Sequence, residues 1–237
     1  MAGIRRYLEE RETARTRGVQ RGAAVRLLRR VSSFELRQQA KVRATDVLAP
    51  LERRKARRLA EARPLRLHLG SGAHRIPGWV NIDLVGMQPD LHWDLTHKLP
   101  FADGSADAVF LEHVLEHFPL ATVIEMLEEG RRVVAPGGIL RAGVPDFGRY
   151  AESYAGDRVF LERERPGRPT PLLAMAEVAL GHGHRSVWDA ETLEAALEEV
   201  GLVEVSRRNF GDSGIEPAPD RPERESETVY AEGRAPS

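Results

Sequence analysis

Five short apolar runs between residues 65 and 146, each closing on a glycine or beside an acid, constrain this chain more than any other feature. Leu65-Arg66-Leu67-His68-Leu69 alternates apolar and polar residues and enters Gly70-Ser71-Gly72, a strand running into a glycine turn. Trp79-Val80-Asn81-Ile82-Asp83 and Leu91-His92-Trp93-Asp94 are two further strands that end on an acid. Ala108-Val109-Phe110-Leu111 follows the turn Asp103-Gly104-Ser105, and Ile139 to Val144 ends at Pro145-Asp146. Between these last two, Val123, Ile124, Leu127 and Val134 recur at helical spacing, which predicts a helix from about Leu120 to Val134, stopped by Pro136-Gly137-Gly138. Downstream the pattern gives a short helix around Tyr150, an Arg/Pro/Gly-rich loop over 163–171, an apolar helix Leu172–Leu180 and a helix capped by Asp189 and Gly201. Leu202–Arg207 and Thr228–Glu232 are the last strands, joined by a Pro- and charge-rich loop that reads as exposed and mobile. Strands alternating with helices predict an α/β fold: a Rossmann-like, doubly wound, mostly parallel seven-stranded sheet.

Charge divides the chain in two. Residues 1–63 hold 18 Lys or Arg against 7 Asp or Glu, and the remainder holds 17 against 29. The basic part reads as a helical N-terminal extension, with Ala24, Leu27, Leu28, Val31 and Phe34 at helical spacing, and Pro64 ends it. The expected division is therefore 1–63 and 64–237. Cysteine is absent, which excludes disulfide frameworks and thiolate-ligated metal. No apolar run approaches the roughly 20 residues of a membrane helix, and no secretory signal is evident. The expectation is a cytoplasmic protein, with peripheral contact to an anionic membrane through residues 1–63 as a further reading.

In an open parallel sheet, ligands bind outside the carboxyl ends of the strands. Gly70 and Gly72, Asp83, Asp94, and Glu112 with His113 stand at four such ends. Glycine lets backbone approach a ligand closely. An acid after the second strand can accept both hydroxyls of a ribose, and one after the third can accept an adenine amino group. This is a nucleoside site with no pyrophosphate cradle.

The segments LHLGSG, GWVNID, WDLTHKLPFADGSADAVFLEHVLEHF and RRVVAPGGILRAGVPD together resemble a class I S-adenosylmethionine-dependent methyltransferase, of the methyltransferase type 11-like bacterial group. The resemblance covers residues 65–146 well and 185–233 loosely. It implies S-adenosylmethionine as cofactor, with Gly70, Ser71 and Gly72 lining its methionine end. Asp83 would hold the ribose, Leu84 would pack on the adenine, Asp94 and Leu95 would meet the adenine edge, and Glu112 would lie below the sulfonium. His68 stands where the family often carries an acid and is counted with the cofactor residues. Six residues separate Gly72 from Trp79, too few for the usual crossover helix, so the first helix is expected to be truncated or lost.

Methyl transfer to oxygen or nitrogen is an in-line displacement in which the protein supplies alignment and excludes water. An oxygen nucleophile also needs a base; His113 is the first candidate, with His117 and Asp146 behind it. His182, His184 and Arg185, in a Gly/His loop, are candidate substrate contacts. No Asn/Asp-Pro-Pro-Tyr tetrapeptide of the amino-directed kind follows the fourth strand, which favours oxygen and a small-molecule or saccharide acceptor. His113-Val114-Leu115-Glu116-His117 also matches the HxxEH zinc-peptidase pattern, but that reading explains none of the surrounding frame. The expectation is therefore that the site needs no metal. Two other functions stay open: a nucleic-acid methyltransferase gripping its substrate through the basic arm, less favoured because aromatics are not interleaved there, and a non-catalytic binding protein on the same fold.

Overall fold

The structure, a computed structural model, describes residues 3–9 and 34–237. Most of the stripe from Ala24 to Phe34 lies outside the described residues. The described chain contains α1 (Phe34–Leu59), β1 (Arg66–Leu69), β2 (Val80–Asp83), β3 (Leu91–His92), β4 (Ala106–Glu112), α2 (Leu120–Val133) and β5 (Val134–Pro145). It continues through α3 (Phe147–Ala155), α4 (Val159–Glu164), α5 (Pro171–Leu180), α6 (Ala190–Glu199), β6 (Val203–Arg208) and β7 (Thr228–Arg234). No helix among the described residues is long and apolar enough to cross a membrane.

The strands form one seven-stranded sheet in the order β3-β2-β1-β4-β5-β7-β6. Neighbours are parallel from β3 to β5, and β7 runs antiparallel between β5 and β6. Strand order reverses between β1 and β4, which opens a crevice at their carboxyl ends. β4 is buried at every residue except Asp107, as a strand covered on both faces must be. The connection from β1 to β2 contains turns and no helix. Both Gly70 and Ser71 donate their N–H to the Ile82 carbonyl, at 2.8 and 3.0 Å, so the loop is stapled directly to β2.

The end of the basic extension of residues 1–63 packs on the sheet. Ala56 is fully buried in the main core, and Ala49, Leu59 and Ala60 pack against the same cluster. Glu52 accepts the His92 N–H of edge strand β3 at 3.0 Å, and Thr45 donates its hydroxyl to the Leu84 carbonyl at 3.3 Å. The second half of α1 therefore covers the sheet edge, while Arg53, Arg54, Lys55, Arg57 and Arg58 stay exposed.

The loop between β6 and β7 also differs from its sequence reading. Arg141, fully buried in β5, donates to both carboxylate oxygens of Asp220 (2.7 and 2.6 Å), to Glu232 (2.9 Å) and to the carbonyls of Asp212 and Asn209. Arg221 donates to Glu112. Two of the loop's charges, Asp220 and Arg221, are internal partners that fasten it across the sheet, while Asp212, Glu216, Glu223 and Glu225 stay exposed. A buried arginine left without such partners would be costly.

Beyond β5, Tyr150, Phe160, Leu161, Ala174 and Val178 make a small separate core from α3, α4 and α5. This subassembly stands over the crevice. Residues 3–9 reach it through Tyr7, whose hydroxyl donates to Glu177 at 3.1 Å.

Candidate active site

At the end of β1, Gly70 adopts φ +72°, and a Cβ there would lie 2.2 Å from Val114 Cγ2. Only glycine fits both conditions. Asp83 completes the turn by accepting the Gly72 N–H at 2.8 Å and the Val85 N–H at 3.3 Å. Ser71 is buried, and its hydroxyl has no protein partner among the described residues. His68 lies deeper: Asn81 Oδ1 is 3.1 Å from its Nδ1, and its ring packs on Phe110 with centroids 5.3 Å apart. Burial pushes its pKa down to about 4, so it is neutral at pH 7.

A cavity of about 890 Å³ opens from Gly70 past Asp83, Leu84, Trp93, Asp94 and Leu95 to Val114 and Phe118. Asp94 Oδ1 takes both the N–H (2.9 Å) and the hydroxyl (2.8 Å) of Thr96, which fixes the acid at the rim. The donors and acceptors present fit S-adenosylmethionine. An acid follows β2, apolar Leu84, Trp93 and Leu95 flank it, and an unpaired buried hydroxyl and a Cβ-free approach lie at the glycine turn. Trp93, Thr96, Val114 and Phe118 were not singled out from sequence; an aromatic or aliphatic residue in a buried run reads simply as core.

A second cavity of about 610 Å³ shares Gly70, His113, His117 and His182 with the first. Its walls are ionic. Arg165 donates to Glu227 at 2.7 Å, Arg224 donates to the same carboxylate at 3.0 Å, and Arg168 donates to Glu177 at 2.5 and 2.9 Å. Glu112 lines this cavity with its carboxylate held by Arg221 and by the Tyr230 hydroxyl at 2.8 Å. These arginines were missed because they sit in loops whose composition alone reads as solvated surface.

His113 has φ +54°, a left-handed conformation uncommon for a non-glycine residue. Its N–H donates to the Gly143 carbonyl at 2.9 Å, its Nε2 is 2.8 Å from the Thr228 hydroxyl, and its Nδ1 is 3.5 Å from Glu116. Burial pushes its pKa down to about 3. Burial pushes the Glu116 carboxyl up to about 8, and also lowers His117 and His184.

His182, His184 and Arg185 come to this wall: the Arg185 N–H donates to the Glu116 carbonyl at 2.7 Å. His182 lines both cavities, His184 the second and Arg185 the first. Asp146 stands apart from them. It caps α3, accepting the Arg149 N–H at 3.0 Å, and lines neither cavity. The loop after β5 turns straight into a helix and uses the acid at its start.

Residues 80–142 match the family model of a methyltransferase domain. An uncharacterized 37.1 kDa protein in transposon TN4556 of Streptomyces fradiae is 45% identical over 51 residues, which span 22% of this chain and 14% of that protein. A SAM-dependent methyltransferase from Thermotoga maritima aligns with 84% of this chain and 96% of its own, at 15% identity and a TM-score of 0.48. Another from Archaeoglobus fulgidus aligns with 85% of this chain and 100% of its own, at 12% identity and a TM-score of 0.46. The family match falls on the segment from β2 into β5 that carries Asp83, Asp94 and Glu112. That match makes the segment from β2 into β5 similar to a methyltransferase domain, set in a seven-stranded sheet of order 3-2-1-4-5-7-6.

Proposed function

We propose that the chain methylates a hydroxyl of a polar small molecule or saccharide. The observation that carries this reading is the second cavity. It meets the cofactor cavity at side-chain-free Gly70 and is lined by arginine–carboxylate pairs, with no Phe, Tyr or Trp among its lining residues. Such walls offer both donors and acceptors to a polyhydroxyl compound.

S-adenosylmethionine supplies a methyl group on a sulfonium that is an excellent leaving group. Asp83 would hold the ribose hydroxyls, and Leu84, Trp93, Leu95 and Asp94, which line the same cavity, would hold the adenine. The α3–α5 subassembly contributes Arg165, Arg168 and Glu177 to the second cavity, and alignment of the acceptor there does most of the remaining work. His113 has its Nε2 engaged with the Thr228 hydroxyl and a pKa far below 7, which suits it to shaping the junction rather than to taking a proton.

The test is transfer of labelled methyl from S-adenosylmethionine to a panel of glycosides, phenols, amines and RNA. Label in a base-stable ether of a glycoside or another polar alcohol is the predicted result. Label confined to RNA or to amines contradicts the acceptor assignment.

A further inference from the structure

We propose that Glu116, His117 and His184 form a binding site for a divalent transition metal such as zinc, on the acceptor-cavity wall, with open coordination positions facing an oxygen ligand. The proposal rests on the hydroxyl-acceptor reading for the ligand it would take, but not for the site itself.

The three side chains offer ligand atoms that all lie within 4.8 Å of one another. His184 Nε2 is 4.0 Å from Glu116 Oε1, and the His117 and His184 rings stand 5.1 Å apart at 73°. A tetrahedral ion with bonds of about 2.0–2.2 Å holds its ligand atoms about 3.4 Å apart, so small side-chain rotations would close the set.

Three features separate this group from a chance cluster. First, Glu116 is almost fully buried, and its Oε2 has no hydrogen-bond partner among the described residues. A buried polar oxygen without a donor carries an uncompensated desolvation cost, and an ion would remove it. Second, one imidazole is already oriented. His184 Nδ1 is 2.6 Å from the Val178 carbonyl, which can only accept, so Nδ1 carries the proton and Nε2 presents its lone pair toward Glu116. Outer-shell carbonyls of this kind fix the tautomer of metal-binding histidines. Third, the backbone locks the two halves together: the Glu116 carbonyl accepts the N–H of Arg185 and of Ser186, at 2.7 and 3.2 Å.

Two histidines and one carboxylate leave positions open, as in catalytic rather than structural sites, and suit zinc or a neighbouring first-row ion better than magnesium or calcium. Those positions face the cavity that holds the arginine–carboxylate pairs. The ligand that fits is a hydroxyl of the acceptor, whose pKa an ion would lower. The set is not the HxxEH constellation: it takes Glu116 and His117 from that motif and replaces His113 with His184.

The test titrates zinc into the full-length, metal-stripped protein in competition with a chromophoric chelator. One equivalent should bind with submicromolar affinity. Glu116→Gln, which is nearly isosteric, and His184→Ala should each weaken binding at least 100-fold, while His182→Ala keeps it. Melting and S-adenosylhomocysteine binding, followed in parallel, should be retained by Glu116→Gln, which separates loss of the metal from loss of the fold. Absence of stoichiometric binding, or unchanged affinity in Glu116→Gln, overturns the site. If zinc fails to bind while glycosides are methylated, the metal proposal falls and the function stands. If zinc binds but transfer to glycosides is undiminished by chelation, the assignment of the acceptor hydroxyl as its ligand falls.

Discussion

Gly70→Ala should lower affinity for S-adenosylhomocysteine at least about 100-fold, equivalent to about 2.7 kcal/mol. Two costs coincide at this residue. The backbone is left-handed, which penalises any side chain by roughly 1–2 kcal/mol. The new Cβ would also lie 2.2 Å from Val114 Cγ2, inside contact distance, where both residues line the cofactor cavity. Relief requires either Val114 or the glycine turn to move, and the turn carries Gly72 and its bond to Asp83. Gly78 supplies the control. It too is left-handed (φ +80°), but a Cβ there meets nothing within 4 Å, and it lines neither cavity. Gly78→Ala should cost a few degrees of melting temperature and leave affinity unchanged. Calorimetry on the two folded variants checks both, and equal affinities would remove Gly70 from the site.

The second large effect concerns α1. A chain beginning at Pro64 should melt about 10–20 °C below the full chain, taking about 2–4 °C per kcal/mol for a protein of this size and a loss of about 5 kcal/mol. The loss has identifiable parts. Ala56 leaves the core, Leu91 and Trp93 lose their cover, and the His92 N–H loses its carboxylate acceptor, a bond of roughly 1.5–3 kcal/mol. Cofactor affinity should fall too, because Thr45 braces the Leu84 carbonyl and Arg53 lies 5.7 Å from the Trp93 ring centroid. A chain beginning at Phe34 keeps these contacts, loses the Tyr7–Glu177 bond, and should melt well above the Pro64 chain in differential scanning calorimetry. If the Pro64 chain melts within about 2 °C of the full chain, α1 is an appendage.

The parts of this molecule that were legible in its sequence share one property: their signal is local. Buried parallel strands read as apolar runs, and the acids ending β2 and β3 follow directly on those runs, so Asp83 and Asp94 stand out. What escaped depends on residues distant in sequence. Arg141 and Asp220 are 79 positions apart, and Glu112 and Arg221 are 109 apart. Neither pair leaves a periodic trace, and their loop therefore looks like solvated charge. The docking of helix α1 was not legible for another reason. The helix buries alanines, at positions 49, 56 and 60, and so small a side chain barely marks a hydrophobic face among so many arginines. The HxxEH motif was visible, but the partner that gives Glu116 and His117 a role of their own, His184, lies on a loop beyond α5.

The central claim is that the crevice between β1 and β4 holds S-adenosylmethionine through the acid ending β2. Titration calorimetry of S-adenosylhomocysteine into the full chain and into Asp83→Asn tests it most directly. The substitution keeps an acceptor for the Gly72 N–H but removes the charge and one acceptor oxygen. The account predicts one-to-one binding to the unmodified chain. It also predicts affinity lower by about 10–100-fold in Asp83→Asn, the worth of one charge-assisted hydrogen bond. Failure of the unmodified chain to bind, or equal affinity in a variant that melts normally, would contradict it.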